Sequence, residues 1–196
     1  DPRSILCPAD GVISQSGTIE DGRLLQAKGH RYSLRNLIGE DADEFMGGSF
    51  ATVYLAPHNY HRVHLPTNAT LIRTTAIPGE LFSVNAYTEA AIDNLFARNE
   101  RLVCRFRTDH GTMLVVLVGA LIVASIETVW PGPVSPFRRF EQTSYEVSLE
   151  RGDEIGRFLL GSTVIVCFEP GKTVFASQIK PGAEVQMGTA LGTFAG

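Results

Sequence analysis

Residues 160–163 read Leu160-Gly161-Ser162-Thr163, and an apolar run, residues 164–168, follows them directly. The run is rich in β-branched residues and predicts a strand. Glycine has no side chain to shield its carbonyl, so the neighbouring serine hydroxyl can approach that carbonyl closely. The Gly161–Ser162 bond is therefore suited to attack by the chain on itself. The alternative interpretation is an ordinary strand that enters a turn.

The composition predicts one globular domain of 196 residues, with 44% hydrophobic and 19% charged residues. The net charge is −4, and no block of lysine and arginine occurs, so nucleic acid is not expected as a partner. Three cysteines, Cys7, Cys104 and Cys167, match no zinc-binding spacing. We expect them to be reduced and mostly buried, as in a cytosolic protein.

Short runs of Val, Ile, Thr and Phe, separated by Gly, Pro, Asn and Asp, predict a mainly β fold. Short helices are predicted at 33–38 and 90–98, and a long exposed loop at 131–144. Asp109-His110-Gly111 predicts a hairpin turn. The predicted strands are 50–55, 69–77, 102–107, 112–118, 121–129 and 164–168.

Two segments near the ends of the chain share a turn pattern. Pro8-Ala9-Asp10-Gly11-Val12-Ile13 and Pro181-Gly182-Ala183-Glu184-Val185 both resemble the hammerhead turns of barrel-sandwich hybrid domains. The resulting fold prediction is a single mainly β domain of barrel-sandwich-hybrid-like architecture, with a few short helices.

Six further segments accompany LGST at 160–163, and their combination is specific although each alone is weak. In this order they resemble the bacterial phosphatidylserine decarboxylases, from about Leu6 to about Gly192. The segments are CPADG at 7–11, YHRVHLP at 60–66, PGELFSVN at 78–85, NLFARNER at 94–101, VGA at 118–120 and GRF at 156–158.

The resemblance implies self-processing at Gly161–Ser162. Ser162 is then the nucleophile, His64 the base that takes its proton, and Asp10 the carboxylate that orients His64. Ser162 becomes a pyruvoyl cofactor, and no metal is expected. The single decarboxylase domain, residues 1–196, is divided into a β chain, 1–161, and an α chain, 162–196.

The implied reaction converts phosphatidylserine to phosphatidylethanolamine and CO₂ through a Schiff base to the substrate amine. We expect His61 to reprotonate the α-carbon, with His64 as the open alternative. Arg62 is a candidate for contact with the lipid phosphate. Tyr54 and Phe82 are candidates for an apolar substrate slot.

Three histidines, His58, His61 and His64, lie within seven residues, in a chain that has five in all. We predict that Pro57 starts a single helical turn that ends near Arg62. A spacing of three residues would place His61 and His64 on one face of that turn, so that both reach one pocket. A zinc site is a weaker alternative, because no acidic or cysteine partner shows ligand spacing.

The family resemblance also implies a zymogen of phospholipid biosynthesis and a homodimer of cleaved protomers. Such a protein is membrane-associated, peripheral on the cytoplasmic face of the bacterial inner membrane, and acts on phosphatidylserine there. The family's membrane-associating N-terminal segment lies upstream of Asp1, so the membrane affinity of residues 1–196 alone is left open.

Two other classes of function compete with the decarboxylase. A histidine phosphocarrier of barrel-sandwich type shares the Pro-Ala-Asp-Gly segment but gives no reason for residues 160–163. A serine hydrolase using Ser162, His64 and Asp10 without self-cleavage is typically marked by Gly-x-Ser-x-Gly, and this pattern fails at Val164.

Overall fold

The computed structural model describes residues 1–27, 29–121, 126–159 and 162–196. Strands dominate these residues, as the sequence predicts. The strands are β1 (Ser4–Leu6), β2 (Gly11–Thr18), β3 (Arg23–Ala27), β4 (His30–Ser33), β5 (Ser49–Tyr54), β6 (Arg62–His64), β7 (Ala69–Ile77), β8 (Arg101–Thr108), β9 (Gly111–Val118), β10 (Ile126–Thr128), β11 (Glu141–Leu149), β12 (Glu154–Phe158), β13 (Thr163–Phe168), β14 (Thr173–Phe175), β15 (Glu184–Val185) and β16 (Ala190–Phe194).

The helices are short: α1 (Leu34–Ile38), α2 (Ala86–Ala91), α3 (Leu95–Arg98) and a 3-10 turn (Asp43–Phe45). The start of α1 is capped by the Ser33 hydroxyl, which accepts a hydrogen bond from the Asn36 amide at 3.3 Å. Gly39 ends the helix in the left-handed conformation, at φ 74°. Both boundaries of α1 follow from residue types that the sequence displays.

The principal sheet has eight strands in the order β11-β7-β8-β9-β13-β5-β2-β15. Two small sheets, β10-β12-β6 and β1-β16-β14, contribute to a core on one face of it, with Val53, Leu117 and Val164. On the other face, α1, α3 and the β3-β4 hairpin enclose a second core. Within the described ranges no sheet closes into a barrel.

The two terminal turn segments that share a sequence pattern lie side by side. Val12 pairs with Glu184, and the amide of Ile13 donates to the carbonyl of Ala183 at 2.9 Å. At Gly11 a side chain would collide with the β5 backbone, because a Cβ atom there would lie 2.1 Å from the backbone carbonyl oxygen of Tyr54. Glycine is required here because β2 approaches β5 so closely.

Most predicted elements are confirmed, including the hairpin at Asp109-His110, and three are corrected here; the helical turn predicted from Pro57 is corrected with the site. Residues 121–129 are not one strand: β10 occupies only Ile126–Thr128, and residues 122–125 lie outside the described part. Residues 90–98 are divided between the end of α2 and α3. The loop predicted at 131–144 ends at 140, because residues from Glu141 onward pair with β7.

A buried carboxylate lies in the second core. Glu89 of α2 is 5% exposed and accepts a hydrogen bond from the Ser14 hydroxyl. Burial raises the pKa of Glu89, although the bond from Ser14 opposes the shift. The side-chain amide of Gln26 holds the same helix through bonds of 2.7 Å to the carbonyls of Glu89 and Ile92.

We predict that Glu89→Gln stabilises the protein at neutral pH. Because the pKa of Glu89 is higher in the folded than in the unfolded chain, stability is lost as the pH rises from the unfolded pKa through the folded one. Glutamine removes that loss and can still accept from Ser14. Urea unfolding should show the free-energy difference between variant and parent growing from pH 4 to pH 7. A difference that does not change with pH, or that equals that of the exposed control Glu184→Gln, would contradict the prediction.

Candidate active site

Ser162 directly precedes β13 and is 1% exposed. Its carbonyl accepts a hydrogen bond from the amide of Leu55 at 2.6 Å, and its hydroxyl donates to the carbonyl of Val118. The hydroxyl is thus held by β9, and the Ser162 backbone is held by the residue that directly follows β5. Gly161, the other half of the predicted cleavage site, lies outside the described residues.

His64 has a defined tautomer when it is neutral. Its Nδ1 lies 2.7 Å from the carbonyl oxygen of Gly152, which can only accept, so Nδ1 carries the proton. Nε2 then holds the lone pair and accepts from the Tyr60 hydroxyl at 3.1 Å. The Tyr60 ring also stacks on the imidazole, with centroids 5.7 Å apart. His64 therefore has the protonation needed in a general base, with its basic nitrogen bound to Tyr60.

His61 uses its ring differently. Its Nε2 donates to the carbonyl of Pro57 at 3.0 Å, while Nδ1 is buried and has no hydrogen-bond partner among the described residues. An unpaired buried ring nitrogen is costly unless a ligand or substrate uses it. Nδ1 of His61 is therefore the nitrogen available for proton transfer.

The predicted helical turn from Pro57 to Arg62 is wrong. Residues 57–59 form a turn, and Arg62–His64 form β6, which pairs with β12. Ladder hydrogen bonds to β12 outweigh the weak local preference for a helix here. His61 precedes the strand, and its carbonyl accepts from the amide of Phe158 at 3.0 Å.

Backbone contacts bring the four predicted catalytic residues to one end of the molecule. Ser162 follows Phe158 by four residues, so its Cα lies within about 14 Å of that of Phe158, the partner of His61. The amide of His64 donates to the carbonyl of Pro8 at 2.8 Å, and Asp10 follows Pro8 by two residues. Asp10, His61, His64 and Ser162 therefore lie at the same end of the molecule, although they come from three separate parts of the chain.

The predicted Asp10–His64 hydrogen bond is not present among the described residues. Asp10 Oδ1 accepts from the amide of Met187 at 2.8 Å, while both ring nitrogens of His64 have other partners. Asp10 here joins the C-terminal turn to β2. Its role as the orienting carboxylate stays a prediction.

Each of the three predicted substrate-binding residues already makes a contact within the protein. Arg62 pairs with Glu154, which holds the pKa of the guanidinium above its ordinary value, so a phosphate would have to displace that carboxylate. Phe82 is half-buried, with the Arg98 guanidinium 4.6 Å from its ring centroid. Tyr54 pairs with Thr163 and is half-buried; burial, and after it the charge of Glu89, raise its pKa.

Asn99 is a buried polar residue close to the candidate site, and the sequence analysis gave it no role. It is fully buried, and its side-chain amide donates to the carbonyls of Phe82 and Gly119, each at 2.9 Å, while its oxygen accepts from the Phe82 amide at 3.0 Å. Gly119 directly follows Val118, the acceptor of the Ser162 hydroxyl. The signal was present, since Asn99 lies inside the segment NLFARNER that the sequence singles out.

Fold and site together define a mainly β protein in which a buried serine directly precedes a central strand, at the end of the molecule where His64 of a second sheet also lies. The family model described as phosphatidylserine decarboxylase matches residues 1–193. The chain belongs to the phosphatidylserine decarboxylase family.

Curated relatives extend this match over nearly the whole chain. A Pseudomonas paraeruginosa protein is 54% identical over 201 residues, covering 97% of this chain and 70% of that protein. An Acinetobacter baylyi protein is 56% identical over 191 residues, covering 96% of this chain and 67% of that protein. Each bears the name phosphatidylserine decarboxylase proenzyme.

We predict that Asn99→Ala lowers the free energy of unfolding by about 3 kcal/mol, because it removes three hydrogen bonds and leaves buried backbone groups of Phe82 and Gly119 unpaired. Urea unfolding in a Ser162→Ala background would measure this on an unbroken chain. Asn85→Ala, which removes only the exposed cap of α2, serves as control and should cost about 1 kcal/mol. Equal losses in the two variants would contradict the prediction.

Proposed function

We propose that the chain is a precursor that cleaves itself between Gly161 and Ser162 and then decarboxylates phosphatidylserine to phosphatidylethanolamine and CO₂. The observation that carries the proposal is the buried Ser162 hydroxyl, directly before a strand that is paired on both edges and at the end of the molecule where His64 also lies. The family membership and the proenzyme names of the relatives support the same conclusion.

Self-cleavage proceeds in steps that the residues present can perform. Nε2 of His64 takes the proton of Ser162, and Oγ attacks the carbonyl carbon of Gly161. The C–N bond breaks, and the nitrogen of residue 162 becomes an amine, so the amide is now an ester. Loss of the α-proton of residue 162 expels the Gly161 carboxylate and leaves dehydroalanine. Its imine tautomer adds water and releases ammonia.

The proposed product of these steps is a pyruvoyl group on residue 162. Such a group supplies an electron-accepting carbonyl for decarboxylation of an amino acid. The buried position of Ser162 and the unpaired Nδ1 of His61 fit it, because decarboxylation at an enclosed electron acceptor needs a group that can take up a proton and then deliver it to the substrate. His61 would deliver the proton to the substrate α-carbon, and Phe82 with Tyr54 would line the apolar approach.

The partners follow from the proposed substrate. Phosphatidylserine is held in a bilayer, so we propose peripheral binding to the cytoplasmic face of the bacterial inner membrane, by a homodimer of cleaved protomers. Among the described residues, no helix combines the length and apolar character needed to cross a bilayer.

Ser162→Ala tests the cleavage directly. The parent protein should run as two bands on a denaturing gel, and the small fragment should begin at position 162 and lack its amine. Ser162→Ala should run as one band and lose all decarboxylation, whereas the exposed control Ser144→Ala should behave like the parent. A single band from catalytically active parent protein would overturn the proposal, as would failure of borohydride and an amine to trap an adduct on the small fragment.

Tyr60→Phe tests the state of His64. The Tyr60 hydroxyl occupies the nitrogen that must accept the serine proton, so its removal should quicken self-cleavage about twofold to tenfold, the equivalent of one net hydrogen bond. The measurement is the rate at which the small fragment appears. Phenylalanine keeps the ring that stacks on His64, and Tyr60→Leu, which does not, is the comparison. Cleavage slowed in Tyr60→Phe would show instead that the hydroxyl relays the proton.

A further inference from the structure

The loop of residues 131–140, between β10 and β11, exposes both apolar and cationic side chains. Val134 is 83% exposed and Phe140 is 50% exposed. Arg138 and Arg139 lie between them on the surface; Arg139 contacts Glu141 at 3.1 Å, and in the described ranges no carboxylate pairs with Arg138. Large apolar groups next to guanidinium groups are the chemistry that binds the interface of an anionic bilayer.

The loop is held in place by its buried residues. Glu100, only 2% exposed, accepts hydrogen bonds from the Ser135 hydroxyl and from the Phe137 amide, the latter at 2.7 Å. The Tyr145 hydroxyl donates to the carbonyl of Pro131 at 2.8 Å. Because these hydrogen bonds fix the loop backbone, the exposure of Val134 does not result from a loose chain. Docking would therefore lose little conformational entropy of the loop.

The loop and Ser162 lie at the same end of the principal sheet. A single row of paired residues crosses five strands, from Glu141 directly after the loop to Val164, two residues after Ser162. Four strand spacings separate them, or about 19 Å. The row is Glu141, Ala76, Leu102, Leu117 and Val164.

Two further exposed apolar side chains extend this end. Leu121, which is 55% exposed, follows Val118 by three residues. Leu159, which is 56% exposed, precedes Ser162 by three residues. A groove of about 480 Å³ beside the loop is lined by Val134, Phe137 and both arginines. The groove therefore combines apolar side chains with cationic groups, and these match the apolar tail and the anionic head group of a lipid.

We infer that the loop of residues 131–140 is a docking surface for an anionic phospholipid bilayer, with Val134 and Phe140 entering the interface and Arg138 and Arg139 contacting lipid phosphates. The net charge of −4 disfavours an anionic surface overall, so the attraction must be local. The inference rests on the proposed function only for the choice of a lipid as partner, and it places the bilayer at the end of the sheet where Ser162 lies.

Vesicle co-sedimentation tests the surface without relying on catalysis. The vesicles contain phosphatidylcholine with or without phosphatidylglycerol, which is anionic but not the proposed substrate. All proteins carry Ser162→Ala, so each is one unbroken chain whether or not the parent cleaves itself. Val134→Asp should raise the lipid concentration for half-binding at least tenfold. Val174→Asp is the matched control, because Val174 is 62% exposed but lies at the opposite end of β13. Its neighbour Thr173 contacts Ser49, and Ser49 pairs with Phe168, the last residue of β13.

The charged residues give a second readout. Arg138→Gln with Arg139→Gln should weaken binding to phosphatidylglycerol vesicles and leave binding to pure phosphatidylcholine unchanged, whereas Arg107→Gln, on an exposed arginine of β8, should change neither. Equal binding of the Val134 and Val174 variants, or no binding by the parent, would overturn the inference. So would a change of oligomeric state in Val134→Asp without lipid, since the loop would then be a subunit contact. If the parent protein does not cleave itself, that result overturns only the proposed function and not the docking surface.

Discussion

The pairing of β13 on both edges is the constraint on which the rest of the structure depends. All six of its residues pair with β5 and, at the same time, with β9, and all six are buried. A strand fixed in this way cannot slip by one residue without turning its side chains to the wrong core. The position of Ser162, directly before the first residue of β13, is therefore fixed by the pairing of the whole strand.

The same constraint explains how the molecule could tolerate a broken chain. A cut before residue 162 leaves both ladders of β13 intact, and the C-terminal part is also held through β15, which pairs with β2, and through β16, which pairs with β1. The C-terminal turn is tied to β2 by the bond from Met187 to Asp10. Severing one peptide bond removes little of this pairing, so the two parts would stay together without a covalent link between them.

Three of the segments that carry the family resemblance, residues 78–85, 94–101 and 118–120, meet beside the acceptor of the Ser162 hydroxyl. Gly119 donates to the carbonyl of Glu100 at 2.8 Å, and Asn99 binds both Phe82 and Gly119. Glu100 also holds the loop of residues 131–140. The exposed loop is therefore connected to Val118 through a short series of buried polar contacts, which fixes the distance between the surface and the serine.

Local chemistry made much of the fold predictable. The bounds of β7, residues 69–77, follow from its β-branched pattern, and α1 follows from the Ser33 cap and Gly39. The segment before β6 was misjudged because its conformation is set by pairing with β12, ninety residues further along, and no local signal reports that partner. Single-sequence reasoning sees propensity, not the strand that will supply hydrogen bonds.

The candidate site divides in the same way. The family resemblance and the residue types pointed to Asp10, His61, His64 and Ser162 as candidates, and the fold brings them to one end of the molecule. Their actual hydrogen bonds could not be read from the sequence, because the partners of His64 are a backbone carbonyl and Tyr60, and that of Asp10 is a backbone amide. Backbone groups leave no signature in composition or spacing.

These hydrogen bonds also bear on when cleavage can begin. In the proposed cleavage, the Ser162 proton must leave the Val118 carbonyl, which is not a base, and Nε2 of His64 must release Tyr60 before Ser162 can attack. Each exchange costs about 1 kcal/mol in net hydrogen bonding. The partners that hold the serine come from β9 and from the residue that directly follows β5, so they exist only once the central sheet has formed. A hydroxyl first secured by the folded sheet and then released to a base would favour cutting after folding, when β13 is already fixed on both edges.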